Sequence, residues 1–369
     1  MITQWFDPEP TFKGLLFAKE LQRRGHKVSV LTGFPNYPGG AVYEGYRIRP
    51  FQSELMDGIP VLRVALYPSH DQSGSRRALN YLSFASMASV AAALIRRPDV
   101  AYVYHPPGTL GLPAVTMKLL RGVPFVYDVQ DLWPDTLAAT GMVTSDRVLG
   151  AADLVMRRIY GSATKLVVLS DGFKTALTSR GIPGRRITII PNWADEQSLD
   201  FRAPDAERAQ QLGFSDRTTI TFAGNIGTAQ SLDTILDAAE MLADLPRLRF
   251  LIVGGGTDSD RLAEESRRRS LTNVEFLPRV PLSEIGAILT LSDAVLVHLR
   301  DDPLFAITIP SKTQAYMLAG RPVLMGVRGD AAQLVKDARA GLIFEPENPA
   351  SLAAVVRDFV SMPTSEREA

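Results

Sequence analysis

The chain has 369 residues, 46% of them hydrophobic, and this length suits two domains of ordinary size better than one core. Forty basic and forty acidic residues cancel, so the overall charge does not favour nucleic acid as a partner, and any anion site has to be local. The absence of cysteine excludes disulfides, thiolate catalysis and Cys-ligated zinc, and four scattered histidines lack the spacing of metal ligands.

Short apolar runs alternate with helical patterns along most of the chain, which predicts βαβ units and parallel sheets. In the first half we predict a helix over 15–24 and strands at 2–6, 27–32, 61–65, 100–104, 125–128 and 165–169. The pattern restarts near residue 218, with strands predicted at 219–223, 249–253, 274–277, 294–299, 323–325 and 342–344. Two doubly wound α/β sheets therefore fit better than one.

The periodicity fades in the polar stretch 196–217, which predicts a domain junction near residues 185–215. We therefore expect two domains, at 1–195 and 196–369. Ligands of doubly wound sheets bind outside the carboxyl ends of the strands, so the loops at those ends are the first candidates for a site.

In chain order the first such candidate is Gly14, which opens the helix after the first short strand. A glycine here would let the main chain approach a ligand closely, although a glycine at such a position is more often an ordinary turn residue.

The segment 79–95 is largely apolar and is flanked by Arg76-Arg77 and Arg96-Arg97. It is shorter than a membrane-spanning helix and contains serine and asparagine, so it is either a core-packing helix or an interfacial helix whose arginines meet anionic lipid headgroups. The first residues contain neither a basic leader nor a long apolar run, so export is not expected. We expect a cytoplasmic protein, either free or peripheral on the inner face of the cell membrane through 76–97.

Two loops follow predicted strands in the first half. Paired prolines after His105 would hold this histidine in a rigid loop, where it could shuttle a proton or simply form a hydrogen bond. The stretch from Asp128 to Asp135 places three carboxylates and Trp133 at the end of a buried strand. We interpret Asp131 as a functional carboxylate in preference to a helix cap.

In the second half, Gly224 and Gly227 form a turn between a strand and a helix, a geometry that suits an anion. This spacing and the run 254–256 match neither the dinucleotide nor the P-loop fingerprint, which argues against nicotinamide enzymes and P-loop NTPases. Pro310-Ser311-Lys312 begins a helix and combines its N-terminus with a lysine. We expect a phosphorylated ligand there, the alternative being an ordinary helix start with a solvated lysine.

Several strings taken together resemble the family 4 retaining glycosyltransferases of GT-B fold over nearly the whole chain. They are Gly14, Arg24-Gly25-His26, Phe34-Pro35-Asn36-Tyr37-Pro38, Asp131-Leu132-Trp133-Pro134, Pro191-Asn192, Gly224-Asn225 and Pro310-Ser311-Lys312. The strings at 34–38 and 310–316 look like the bacterial branch that builds O-antigen, capsule and colanic-acid-type polysaccharide, including N-acetylfucosamine transferases. The resemblance implies two Rossmann-like domains that face each other across a cleft.

The resemblance also implies a nucleotide-sugar donor, a UDP-sugar first of all, and a polyprenyl-diphosphate-linked saccharide acceptor. Metal ions and cofactors are not implied, because helix dipoles and basic residues take their place. The residues it implies for catalysis are Gly14, Asp131 and Lys312. Those implied for donor binding are Gly224, Asn225, Arg279, Val280, Thr308, Ile309, Pro310, Ser311 and Gln314, and those for the acceptor side are His105, Gln130, Trp133 and Asn192.

The sequence departs from the family pattern at the donor site. Ala306 and Gln314 stand where the family usually has two glutamates, and Asn225 and Gln230 stand where it has Arg and Lys. Charge compensation of a diphosphate would therefore fall on Lys312, with Arg300 as a second cation. A nucleotide-sugar 2-epimerase or a non-catalytic sugar-nucleotide sensor of the same architecture are the alternatives, and the reaction products discriminate between them.

Overall fold

The computed structural model describes residues 1–69, 74–104, 106–194, 201, 206–214 and 216–367. The chain divides into two compact units, Met1–Leu169 with Phe173–Ile190, and Ser170–Gly172 with Pro191–Ala369. The predicted domain boundary between residues 195 and 196 falls outside the described residues and stays a prediction.

The N-terminal unit is an α/β structure. Its strands are β1 (Val30–Gly33), β2 (Phe51–Met56), β3 (Ile59–Val64), β4 (Ala101–Tyr104), β5 (Phe125–Val129), β6 (Lys165–Val168) and β7 (Ile187–Ile189). Its helices are α1 (Leu15–Arg23), α2 (Gly74–Leu94), α3 (Gly111–Arg121), α4 (Asp135–Ala139), α5 (Asp146–Ser162) and α6 (Asp171–Ser179). The strands pair in the orders β2-β3-β1 and β4-β5-β6-β7.

Ile2 joins these two groups of strands. The predicted strand at 2–6 reduces to this one residue, which pairs in parallel with both Leu31 and Val103. Its N–H donates to the Tyr102 carbonyl at 2.8 Å, and its carbonyl accepts from the Tyr104 N–H at 2.9 Å. The chain therefore runs between β1 and β4, and the strand order reverses there, which defines a topological switch point.

Strand β2, which pairs antiparallel with β3, was not predicted from the sequence. The two strands are joined by Asp57-Gly58, both with positive φ (47° and 83°). An Asp-Gly pair of this kind is the sequence signal of a tight hairpin and could have revealed the strand.

The C-terminal unit holds strands β8 (Thr218–Asn225), β9 (Leu248–Gly255), β10 (Val274–Leu277), β11 (Ala294–His298), β12 (Val323–Gly326) and β13 (Gly341–Ile343). They pair in parallel in the order β10-β9-β8-β11-β12-β13, so the order reverses between β8 and β11. The helices are α7 (Ala206–Gln211), α8 (Asp233–Met241), α9 (Ser259–Arg268), α10 (Leu282–Leu291), α11 (Pro303–Ala306), α12 (Lys312–Leu318), α13 (Asp330–Asp337), α14 (Pro349–Ser361) and α15 (Thr364–Arg367). The predicted α/β class, with doubly wound sheets, is confirmed.

Helix α2 covers the predicted apolar segment and has two different faces. Tyr81, Phe84 and Ala88 are buried, so part of the segment does pack into the core. Leu82 and Leu94 on the other face are 52% and 74% exposed. Across the ranges that the structure describes, we find no helix with the length and apolar character needed to cross a membrane.

Candidate functional site

The carboxyl ends of β8 and β9 approach each other unusually closely in the C-terminal unit. A Cβ atom on Gly254 would lie 1.9 Å from the Gly224 carbonyl oxygen, and one on Gly256 would lie 2.1 Å from the Ile226 carbonyl oxygen. Only glycine fits at these contacts. They leave the main chain of Gly224 and the side chain of Asn225 exposed beside the β8/β11 switch point, where doubly wound sheets bind their ligands.

The turn that follows β8 is held by side chains of its own unit. The Gly227 N–H donates to Gln230 Oε1 at 3.1 Å, and the Gln230 carbonyl lies 2.7 Å from His298 Nδ1. His298 Nε2 accepts from the Glu347 N–H at 2.9 Å, so the ring proton is on Nδ1. Burial lowers the pKa of this histidine, which keeps it neutral. Gln230 and His298 therefore support the turn.

Lys312 brings an amine to the same place from the start of α12. Its Nζ lies 3.6 Å from the ring centroid of Phe222 and would lie 3.0 Å from a Cβ on Gly224. Nζ is enclosed, and it has no hydrogen-bond partner among the described residues. Burial lowers the pKa of the Lys312 ammonium to about 7. An enclosed amine without a partner is costly to charge, and an anion at the Gly224 turn would remove that cost.

Arg279 approaches the same strand ends from the loop after β10. Its Nη2 donates to the Gly255 carbonyl at 3.0 Å, while most of the side chain is exposed, and Val280 beside it is half-buried. The structure thus brings together Gly224, Asn225, Arg279 and Lys312 around the ends of β8 and β9.

The predicted segment before α12 is partly occupied by its own hydrogen bonds. The Thr308 N–H donates to the Phe305 carbonyl at 3.1 Å, and its predicted role in donor binding stays a prediction. The Thr308 hydroxyl donates to Leu304, and the Gln314 amide donates to the carbonyls of Ser311 (3.1 Å) and Pro310 (3.3 Å). Ile309 is half-buried and Ser311 is exposed.

In the N-terminal unit, Gly14 lies at the start of α1, near the other switch point. Asp7 Oδ2 accepts from the Leu15 N–H at 2.7 Å and would lie 2.3 Å from a Cβ on Gly14. The Asp7 carboxylate thus fills the space beside Gly14 and caps the helix, and the role of Gly14 in catalysis stays a prediction.

A buried ion pair that we did not predict from the sequence lies beside Gly14. Lys13 and Asp128 are 2% and 0% exposed and pair directly. Asp128 also accepts from the Tyr102 hydroxyl, and from Gln130 Nε2 at 2.6 Å. Because buried charges require partners, this pair ties the loop before α1 to the loop that carries Gln130 and Asp131.

The remaining acceptor-side candidates lie in separate environments. Asp131 is half-buried, and loss of hydration raises its pKa to about 6. The Trp133 ring packs on the main chain at Gly108, where a Cβ would lie 2.8 Å from it, so this residue also has a structural contact. Asn192 is half-buried in the segment after β7. His105 lies outside the described residues.

Glu9 is a further buried carboxylate that sequence reasoning did not single out. Its Oε1 accepts from the N–H groups of Asn36 and Tyr37 at 2.7 Å each, and its Oε2 from Phe6 at 3.2 Å. Burial raises the pKa of Glu9 to about 7, although these hydrogen bonds act in the opposite direction. Glu9 therefore holds the Phe-Pro-Asn-Tyr-Pro string, in which Tyr37 stacks on Trp5 with ring centroids 4.5 Å apart.

Comparison with known families accounts for this arrangement. Residues 15–193 match the Glycosyl transferase 4-like domain, and residues 204–369 match the Glycosyl transferases group 1 domain. The chain belongs to this family of glycosyltransferases and has the GT-B fold. The predicted glycosyltransferase family and GT-B fold class are confirmed, while retention, the N-acetylfucosamine branch and the roles of individual residues stay predictions.

Similar proteins include two bacterial glycosyltransferases. WcaI of Escherichia coli, assigned to colanic acid biosynthesis, is 27% identical over 359 residues, which cover 93% of this chain and 86% of WcaI. WbjE of Pseudomonas aeruginosa, assigned as a glycosyltransferase, is 25% identical over 278 residues, which cover 73% of this chain and 68% of WbjE. The crystal structure of Anabaena Alr3699/HepE in complex with UDP-glucose superposes with a TM-score of 0.71 at 16% identity, covering 100% of this chain and 90% of that one.

Proposed function

We propose that this glycosyltransferase moves a hexosyl or N-acetylhexosaminyl group from a UDP-sugar to a lipid-linked saccharide, with retention, in the synthesis of a bacterial surface polysaccharide. The relation to WcaI supports the pathway class, and HepE, solved with UDP-glucose, supports the donor class. The observation that carries the proposal is that the enclosed Lys312 Nζ, which has no hydrogen-bond partner among the described residues, lies beside the exposed Gly224 turn.

The chemistry of a diphosphate fits this place. A nucleotide-sugar brings the negative charge that no described residue provides by hydrogen bonding to Lys312 Nζ, and an anion beside an amine favours the charged form of the amine. Binding would therefore raise the pKa of Lys312 from about 7. Above about pH 7, binding of the donor would therefore be accompanied by uptake of a proton by the Lys312 amine. Arg279, anchored at Gly255, would face the nucleotide base from the side of β9.

The reaction would proceed on one face of the sugar. The bond between the anomeric carbon and the diphosphate oxygen breaks as the acceptor oxygen forms the new bond, and a diphosphate oxygen takes the acceptor hydroxyl proton. Lys312 would stabilise the charge that develops on the leaving group, and loss of one such contact costs about 10²-fold or more in rate. Asp131 and Gln130 would orient the sugar and the acceptor. We propose that no metal ion is needed, so that excess EDTA leaves turnover unchanged.

A lipid-linked acceptor requires access to a membrane surface. We propose a cytoplasmic protein that contacts the inner face of the membrane through 76–97. The exposed leucines of α2 and the neighbouring arginines support this contact, because apolar side chains and cations together bind anionic bilayers.

Ligand-dependent thermal stabilisation tests the donor site. We expect UDP and one UDP-sugar to raise the melting temperature more than GDP-, dTDP- and ADP-sugars do, because a ligand that binds only the folded state stabilises it. Lys312→Met should abolish this shift, while Lys336→Met, which removes an exposed lysine of α13, should keep it. A Lys312→Met protein that is stabilised like the wild type would refute the assignment.

The products of the reaction separate the alternatives. A transferase releases nucleoside diphosphate only when a lipid-linked acceptor is supplied. A 2-epimerase changes the free nucleotide-sugar without an acceptor, and a sensor binds it and changes nothing.

A further inference from the structure

The β8–β11 ladder is much shorter than the β8–β9 ladder. β11 pairs with β8 only at Ile220 and Thr221, whereas β9 accompanies β8 as far as Asn225. The Thr219 carbonyl accepts from the Asp293 N–H just before β11, so Thr219 directs its main-chain groups to the β11 side. Side preference repeats every two residues in a strand, so Ala223 directs its N–H and carbonyl to the same side, where β11 continues to His298 but no longer pairs with β8.

The hydroxyl of Tyr316 from α12 supplies at Ala223 the hydrogen bonds that β11 does not make there. It accepts from the Ala223 N–H at 2.7 Å and donates to the Ala223 carbonyl at 2.9 Å. Tyr316 is 1% exposed, and burial raises its pKa, so the phenol keeps its proton. Two buried main-chain groups that would otherwise lack partners are satisfied by one side chain, and α12 is attached to β8.

Tyr316 and Lys312 lie one turn apart on the same side of α12, because residues at i and i+4 are neighbours on a helix surface. The strand residue that Tyr316 holds, Ala223, lies between the two residues that Lys312 meets, Phe222 and Gly224. The attachment of α12 therefore sets the position of the Lys312 amine relative to the exposed turn.

We infer that Tyr316 is a positioning residue for the donor site: its two hydrogen bonds to Ala223 fix the distance between Lys312 Nζ and the main chain at the end of β8. The consequence for donor binding rests on the function proposed above, but the positioning itself does not.

The test is Tyr316→Phe in the full chain, which keeps the ring and removes the hydroxyl. The matched control is Tyr127→Phe, because the Tyr127 ring is also fully buried and its hydroxyl also bonds to a main-chain carbonyl, that of Gly108 at 2.9 Å. Titration of the Lys312 side-chain nitrogen by ¹⁵N NMR, assigned with Lys312→Met, reports the environment of the amine without any ligand. Calorimetry then gives the affinity for UDP.

In Tyr316→Phe we expect the pKa of Lys312 to move up towards that of an ordinary lysine, and the UDP affinity to fall about tenfold, the equivalent of one lost hydrogen bond. Tyr127→Phe should lose similar stability and change neither quantity. A folded Tyr316→Phe protein with an unchanged Lys312 titration would overturn the inference. An altered titration in a protein whose wild type binds no nucleotide would uphold the positioning and refute the donor assignment.

A second variant keeps the test decisive if Tyr316→Phe folds poorly. Ser270 is an exposed residue of the C-terminal unit with φ of 55°, a conformation that glycine adopts at less cost, so Ser270→Gly should stabilise the unit that holds Tyr316 without touching the donor site. The Lys312 titration and the UDP affinity are then measured for the double variant, and the same outcomes support or overturn the inference.

Discussion

Loss of hydration displaces three pKa values towards neutrality, those of Glu9, Asp131 and Lys312. Glu9 accepts hydrogen bonds from three main-chain N–H groups, whereas the Lys312 amine has no hydrogen-bond partner in the described part of the chain. A buried carboxylate whose loss of hydration is partly offset by hydrogen bonds to the main chain is typical of residues that hold a loop. A buried ionisable group without such hydrogen bonds is a candidate for ligand binding.

Glu9 should make stability depend on pH. Its pKa is raised from 4.5 to about 7 in the folded protein, so between these values the folded chain keeps a proton that the unfolded chain has released. Stability from this group therefore falls as pH rises from about 4.5 to 7, by on the order of 2 to 3 kcal/mol. Glu9→Gln does not titrate and should flatten this part of the profile.

Urea unfolding at pH 5 and pH 8 measures the effect. The control is Glu44→Gln, which removes an exposed carboxylate and should keep the wild-type difference between the two pH values. An equal pH dependence in Glu9→Gln and wild type would show that Glu9 titrates normally.

At the scale of secondary-structure elements, the ends of β8 and β9 meet through glycine. Gly254 has φ of 149°, and the carbonyl oxygen of Gly224 occupies the place of its missing Cβ. A side chain there would push the two strands apart at the turn that faces the proposed donor.

Gly254→Ala should therefore be destabilising by more than about 2 kcal/mol, because it combines a main-chain clash with an unfavourable φ. The same chemical change at Gly150 should instead stabilise the protein by up to about 1 kcal/mol, because this glycine is helical and uncrowded. Denaturant midpoints of the two variants give the comparison. A Gly254→Ala protein as stable as the wild type would mean that the two strand ends separate easily.

At the scale of the whole molecule, a net charge of zero conceals an uneven distribution. Residues 74–121 contain six basic residues, Arg76, Arg77, Arg96, Arg97, Lys118 and Arg121, against the single acidic residue Asp99. The same range contributes exposed apolar side chains, Leu94 (74%) and Leu119 (78%) among them. This combination favours an anionic bilayer over a neutral one.

Vesicle sedimentation tests this contact. We expect the protein to bind vesicles that contain anionic lipid and to release them at high salt, because surface attraction is screened. Changing Arg96 and Arg97 to Glu should weaken binding at least about tenfold, at roughly 1 kcal/mol for each basic residue. The same change at the exposed Arg267 and Arg268 of α9 alters the net charge equally and should have little effect. Equal weakening by both pairs would argue against a specific membrane face.

Local patterns in the sequence determined the α/β class, most strands of both sheets, and the short motifs whose resemblance to a known family assigned Gly224 and Lys312 to one donor site. These features depend on hydrophobic periodicity and on short motifs, both of which are formed by residues close together in the sequence. They did not reveal that Asp7 fills the space at Gly14, or that the start of the chain contributes only Ile2 to the sheet.

Only the tertiary structure decided the pairings between distant residues. Lys13 meets Asp128 across 115 positions, and Tyr316 meets Ala223 across 93. Both pairings lie near a point where the strand order reverses, so that main-chain or charged groups there do not pair with a neighbouring strand. No local pattern in the sequence specifies which distant side chain pairs with these groups instead. The enclosure of Lys312 has the same origin, because its burial is a property of the folded unit.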